Sequence, residues 1–204
     1  EPSKQAEWAA AKAALAPDGI LKSDGIKLRR KDSNLSHSFI TVGGKILAMA
    51  GEGVYLGEGA EGVVKLAEDE QGRLYALKIR VESAFYRKNM GGTLITDEGN
   101  IAHDIGKALP QTSRTSKGEH KYYVPYLYVG TPLETYLSNN KELDDDQFYD
   151  LFIKVFFAFD ALHTGKNSKT QTQYTQGDPH FNNIMVNEKT GEVNLIDFGL
   201  ARYR

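Results

Sequence analysis

The sequence predicts an α+β fold in two segregated lobes, and three observations carry that expectation. Residues 39–79 read as short strands separated by glycine turns. Residues 144–163 carry a helical repeat of aromatic and aliphatic side chains. The two textures do not alternate: strands come first, then a helix, a strand, the long helix and a final strand pair. That order fits segregated layers rather than a parallel α/β sheet. The expected boundaries are an N-terminal extension at 1–36, a small β-rich lobe at 37–125 and a larger, abbreviated lobe at 126–204.

Residues 5–16 are alanine-rich and helical by propensity, with Trp8, Ala11, Lys12 and Leu15 near one face and Pro17-Asp18-Gly19 as the stop. Lys27-Leu28-Arg29-Arg30-Lys31 is a basic run. A solvated loop explains it; contact with an acidic partner or phospholipid head groups is the sharper alternative. Residues 39–42 and 45–48 form a hairpin around Gly43-Gly44. Strands at 54–56 and 62–66 flank a glycine loop, and after a turn at Gln71-Gly72 a further strand covers 74–79, completing an antiparallel meander. Ile101, Ala102, Ile105 and Leu109 share one face of an expected helix over 96–109, weakened by Gly99 and Gly106. Residues 122–128 are strand-like despite Pro125, and 131–137 open a short helix. The long helix starts on three aspartates, which suit the positive end of the helix dipole, and presents Phe148, Leu151, Phe152, Val155, Phe156, Phe159 and Leu162. Residues 165–175 read as a polar loop, and no internal repeat is present.

Composition excludes several classes. A chain of 204 residues can bury about 70% of its unfolded surface, enough for a real core. A net charge of −2 gives no bulk attraction for nucleic acid. With no cysteine, neither disulfides nor thiolate metal sites arise. No apolar run reaches the ~20 residues of a membrane span; the longest candidate, 148–162, is broken by Asp150, Lys154 and Asp160. The first residue is Glu1 rather than Met, so a trimmed N-terminus is expected, and no location or oligomeric state follows.

The chemistry-bearing residues fall into two groups. Gly57-Glu58-Gly59-Ala60-Glu61-Gly62-Val63-Val64 fits G-x-G-x-x-G-x-V. A dinucleotide fingerprint needs a helix next, but a β-branched run follows, so the loop joins strands and its backbone amides can close over phosphates. Lys78 lies inside an apolar strand. It either snorkels to water or holds phosphates as a buried cation, and a buried cation needs a carboxylate. Glu98, on the inward face with Ile101 and Ile105, is the expected partner; Glu82 is the second choice and Asp97 faces away.

In the second group Asp178 and Asn183 stand five apart, and Asp197-Phe198-Gly199 begins nineteen residues after Asp178. Strands at 184–186 and 193–196, joined by a turn at 187–191, bring Asn183 and Asp197 to one end of a hairpin. An amide oxygen and a carboxylate beside phosphate oxygens suit Mg²⁺, with Mn²⁺ as a substitute. Asp178 is left to orient and deprotonate an acceptor hydroxyl.

This ordered set resembles the protein-kinase superfamily over about 150 of the 204 residues, from Tyr55 onward. The match is specific at the Gly57–Val64 loop, at Ala76-Leu77-Lys78, at Asp178 to Asn183 and at the string NLIDFGLA from Asn194. The resemblance implies a protein-kinase-like two-lobed fold that binds ATP and Mg²⁺. Gly57, Glu58, Gly59, Ala60 and Gly62 would cover the phosphates, Val64, Ala76 and Met185 would enclose the adenine, and a hinge at 126–129, with Tyr126, Leu127 and Tyr128, would read its edge. Lys78, Glu98, Asp178 and His180 would serve catalysis, with Asn183 and Asp197 on the metal. The chain departs from the family at Gln176, where a histidine usually buttresses the catalytic loop, at Glu61 in place of an aromatic, and in carrying nothing after Arg204 that matches the activation segment and later helices. The loop G-D-P-H-F-N-N is closer to aminoglycoside-phosphotransferase-like and atypical kinases. For His180, contact with the γ-phosphate and a packing role are both open.

By length and architecture the chain looks like the minimal kinases that bacterial pathogens deliver into host cells. The resemblance therefore implies a Mg-ATP-dependent Ser/Thr protein kinase of effector or toxin type, acting on a host or other protein. A nucleotide-binding interaction module and a small-molecule kinase are the alternatives.

Overall fold

The structure is a computed structural model. It describes residues 3–51, 55–59, 62–82, 96–116, 118–127 and 130–204. The expected site residues Ala60 and Tyr128 lie outside the described residues. The chain is α+β, with mostly antiparallel sheet and four α-helices among the described residues. It divides into two compact units: residues 1–96 with 108–127, and residues 97–107 with 128–204.

The first unit is built on one eight-stranded sheet whose pairings are all antiparallel. Its strands are β1 (Lys27–Leu28), β2 (Ser38–Val42), β3 (Lys45–Met49), β4 (Gly57–Gly59), β5 (Gly62–Glu68), β6 (Leu74–Glu82), β7 (Thr112–Ser116) and β8 (Glu119–Tyr126). The order is β1-β2-β3-β5-β6-β8-β7, with β4 paired to β5. The sheet curls so far that its two ends meet: a Cβ on Gly25, just before β1, would lie 3.0 Å from the carbonyl of Ser113 on β7. The curl encloses Ile40, Val42, Leu47, Met49, Ala67, Tyr75, Leu77 and Tyr123.

Helix α1 (Lys4–Leu15), capped by the Ser3 hydroxyl, covers the opposite face of β2 and β3. Trp8, Ala11 and Leu15 are buried with Phe39, and the Trp8 and Phe39 rings meet edge to face at 5.1 Å. Glu7 is buried beside them because it accepts from the backbone of Ser36 and from the ring of His37. Lys12, expected near the buried face, is instead half-exposed and paired with Glu70. Lys27 and Leu28 of the basic run are a strand rather than loop, held to Ile40 and Phe39. Strand β7, TSRTS, carries no apolar alternation and escaped the sequence reading.

The second unit combines α2 (Thr96–Asp104), α3 (Leu133–Asn139) and α4 (Asp145–Thr164) with the sheet β12-β11-β9 and the ribbon β10-β13. Those strands are β9 (Thr131–Pro132), β10 (Tyr174–Thr175), β11 (Ile184–Val186), β12 (Val193–Leu195) and β13 (Arg202–Tyr203). Helix α2 ends five residues before the expected 109, since Gly106 turns the backbone left-handed at φ 73°. Leu109 then packs in the core of the first unit instead of sharing a helical face with Ile105. Helix α4 begins on a capping box between Asp144 and Gln147 and ends on Gly165 in the αL conformation. It packs against β10 and β12, burying Leu151, Val155 and Leu162. Phe148 and Phe156, expected inward, are 44% and 67% exposed. The apolar stripe is wider than the face that β10 and β12 cover.

The 165–175 segment is tied down by Asp104, which accepts hydrogen bonds from Ser168, Thr170 and Tyr174. Burial raises the Asp104 pKa, but these bonds outweigh it and hold the carboxyl below its ordinary value of 3.8. The folded state therefore favours the ionised form. Its stabilisation is complete above the ordinary carboxylate range and is lost as pH falls through the depressed folded value. Asp104→Ala should cost about 2–4 kcal/mol at neutral pH and reduce the acid dependence of stability. Parallel stability profiles of parent and variant between neutral and acid pH would count against this role.

Candidate functional site

In the first unit, the register decides which side chains share a face. Val64 stands opposite Lys78, Lys78 opposite Val124, and Ala76 opposite Tyr126. With side chains alternating along each strand, Val64, Ala76, Lys78 and Tyr126 lie on one face, away from the Leu77 and Tyr123 core. Lys78 is only 7% exposed, so its ammonium does not snorkel to water. Leu127 follows the strand and is exposed.

The glycine segment is a hairpin rather than a loop between flanking strands. Gly57 pairs with Val64, Glu58 with Val63 and Gly59 with Gly62. Residues 55 and 56 are not strand, and 54 lies outside the described residues. Gly62 is required by packing: its φ is 137°, and a Cβ there would lie 2.1 Å from the Ile79 carbonyl oxygen. A Cβ on Gly57 would meet no atom of the described residues within 4 Å.

In the second unit, the expected hairpin forms with Ile184 opposite Leu195 and Val186 opposite Val193. Its open end joins the two acidic segments, with the Ile196 amide donating to the Asn183 carbonyl at 2.9 Å. Met185 faces away from buried Ile184 and Val186 and is half-buried. Asp197 adopts φ 56°, an αL backbone that aspartate tolerates better than most residues, and its carboxylate accepts from the Gly199 amide at 3.2 Å. Phe198 is buried and anchors the segment.

Gln176 links these pieces. Its Nε2 donates to the carbonyls of Ile196 at 3.2 Å and Asp197 at 2.9 Å, while its Oε1 accepts from the Asp178 amide at 2.6 Å. It is 2% exposed. Gln176 thus buttresses both acidic segments at once. The sequence marked this position as one where a histidine usually stands in the pattern it resembles, but no spacing rule assigns the glutamine its partners. Gly177 has φ 84°, and a Cβ there would lie 2.1 Å from the Leu200 carbonyl oxygen, so the two segments pack backbone to backbone.

Asn183 is 6% exposed, and its Nδ2 donates to the Asp178 carbonyl at 3.0 Å and to Asp178 Oδ2 at 3.2 Å. Both neighbours are acceptors, so the amide nitrogen belongs there and Oδ1 is the atom left for a hard cation. His180 Nδ1 accepts from the Asn182 amide at 3.2 Å. Its proton therefore sits on Nε2, which lies 3.3 Å from Asp178 Oδ2. His180 is half-exposed, not a core residue. Asp178 Oδ2 accepts from Asn183 and lies beside His180 Nε2, and among the described residues no hydrogen bond is made to Oδ1. Among the described residues no cluster of three or more His, Asp or Glu side chains could hold a metal alone. Asn183 Oδ1 and the Asp197 carboxylate are oxygen donors of the kind a hard cation takes.

Glu98 is 1% exposed in the first turn of α2, beside buried Ile101 and Ala102, while Asp97 is more exposed, as the spacing predicts. Glu82 is half-buried and accepts from the Tyr122 hydroxyl at 3.4 Å. In the middle of the hairpin's second strand, Asn194 Oδ1 accepts from Lys107; burial pushes the Lys107 ammonium pKa down, and the Glu192 charge opposes this.

Neither protein-family models nor curated proteins match this chain.

Gln176→Ala should lower stability by about 2–5 kcal/mol, because each buried backbone group left without a partner costs about 1–3 kcal/mol. Gln176→Glu, equal in shape, should be at least as damaging, since a carboxylate would face two carbonyls. Equal thermal midpoints for Gln176→Glu and the parent would show that Gln176 only fills space. Separately, Gly62→Ala should destabilise the first unit while Gly57→Ala leaves its unfolding midpoint unchanged. Thermal unfolding of the pair tests the division of labour within the glycine hairpin.

Proposed function

We propose that the chain is a Mg-ATP-dependent phosphotransferase with a protein-kinase-like two-lobed fold, and that its acceptor is a hydroxyl on a protein. The observation that carries this reading is the Gln176 bridge, which holds the Asp178 and Asp197 segments together while Asn183 keeps its amide oxygen available. Lys78, buried on the face that carries Val64 and Ala76, supports it independently.

Each residue then has a chemical role. Lys78 compensates phosphate charge, with Glu98 assigned as its carboxylate. Asn183 Oδ1 and Asp197 hold Mg²⁺, which when bound neutralises charge on the phosphates. Asp178 Oδ1 orients the acceptor hydroxyl and accepts its proton as the oxygen bonds to the γ-phosphorus and ADP leaves. Val64, Ala76, Tyr126, Leu127 and Met185 contact the nucleotide base, and Gly57, Glu58, Gly59 and Gly62 its phosphates. A small-molecule acceptor is the second reading, favoured by the His180 and Asp178 pair. A Ser or Thr acceptor on a host protein, and an effector role, extend the first reading by resemblance alone.

Transfer from radiolabelled ATP to protein in a lysate should fall by about a hundredfold or more in Asp197→Ala and in Asp178→Ala. Asp178→Ala should retain thermal stabilisation by Mg-ATP, and Gly57→Ala should weaken it. Undiminished transfer by Asp197→Ala would sink the proposal. Mass spectrometry with protein and sugar acceptors offered side by side separates the two acceptor classes.

A further inference from the structure

The enclosed face of the first unit's sheet changes character along its length. Lys27 stands opposite Ile40 and Lys65 opposite Leu77, while Lys121 lies two residues from Tyr123 and opposite Arg114. Ile40, Leu77 and Tyr123 belong to the apolar core. By strand alternation the four cations therefore continue the core's own face, forming a basic mouth where the apolar lining stops.

A cavity of about 330 Å³ opens there, with Lys27, Arg29, Arg30, Lys31 and Lys65 along its wall and no acidic side chain lining it among the described residues. Among the described residues none of these five forms an ion pair. Lys65 lies over the Tyr55 ring at 5.0 Å, Lys121 has only an exposed pairing with Glu119 at 3.6 Å, and Glu7 is taken up by Ser36 and His37. Burial and then the charges of Lys65, Arg29, Lys121 and Arg114 push the Lys27 ammonium pKa down. Like charges are thus held close together around a concavity, which focuses their field outward.

We propose that this basic mouth is a binding site for a compact, multiply phosphorylated anion, such as an inositol polyphosphate, free or as a lipid head group. Three features choose that class. The cations converge from β1, the 30–32 turn and β5 on one cavity rather than along a stripe that would track a polymer. The volume falls in the range of small-ligand sites, about 300–1,000 Å³. The guanidinium groups of Arg29 and Arg30 are of the type that grips phosphate oxygens in pairs, where carboxylate-rich peptides would need an extended surface. The site uses the first unit alone and stands or falls apart from the phosphotransferase reading.

The test is calorimetric titration of the full chain with inositol hexakisphosphate, in parallel with sedimentation on phosphatidylcholine vesicles with and without phosphatidylinositol bisphosphate. Binding to either probe is expected, weakening with salt. The pair Lys27→Ala with Lys65→Ala, and separately Arg29→Ala with Arg30→Ala on the turn, should each reduce affinity about tenfold or more. The second pair keeps the result readable if the strand variants unfold. Asp197→Ala should bind as the parent does. Titration without sedimentation marks a soluble ligand, and sedimentation marks a lipid. Failure of both probes, parental affinity in folded variants of both pairs, displacement by Mg-ATP, or equal binding of polyglutamate overturns the proposal.

Discussion

A buried side-chain amide has to satisfy its donors and acceptor inside the protein, and Gln176 does so entirely on backbone: two carbonyls from the 196–197 segment and one amide from Asp178. That requirement makes the two acidic segments a single piece. It also explains the neighbouring glycine. With Gln176 drawn onto residues 196 and 197, residue 177 lies against the Leu200 carbonyl, where no side chain fits. Asn183 closes the arrangement from the hairpin side by donating to Asp178, so the acid, the amide and the αL aspartate are positioned relative to one another by hydrogen bonds rather than by apolar packing.

The first unit is governed by a different constraint. An antiparallel sheet has two faces, and curling encloses one of them. On the enclosed face the lining is apolar until it reaches Lys27, Lys65, Arg114 and Lys121. On the other, Lys78 sits among Val64, Ala76 and Val124. Adjacent residues 77 and 78 therefore serve opposite purposes, one as core and one as a buried cation. A one-residue slip of β6 would exchange them, so the pairing register carries the chemistry as well as the packing.

Much of the fold was legible because it rests on local signals. The Gly43-Gly44 hairpin, the strand at 74–79, the Ile184 to Leu195 hairpin and the capped long helix all form from turn chemistry, alternation or 3.6-residue spacing. The misses share a cause. Strand β7 is polar on both faces and exists because β8 offers it an edge. Leu109 left its helical face because Gly106 ended the helix and the core of the first unit, to which Leu109 belongs, accepted the side chain. The aromatic stripe of α4 had the right period, but its width exceeded the surface packed against it.

Of the candidate site, Asp178, Asn183, Asp197, Lys78 and Glu98 stood out because type and spacing together are informative for charged and amide side chains. Gln176 stood out only as a departure from the resembled pattern, since its role is to bond to main-chain groups as far as twenty residues away, and main-chain groups leave no mark on a sequence. The basic run at 27–31 was visible as charge but not as a site, because its partner Lys65 arrives only when β5 takes its place in the curled sheet. Sequence alone thus determined which residues are chemically capable and where the chain turns, both local properties. Tertiary structure decided which of them face one another, because register, curl and hydrogen bonds to distant backbone are set by contacts between segments far apart in the chain.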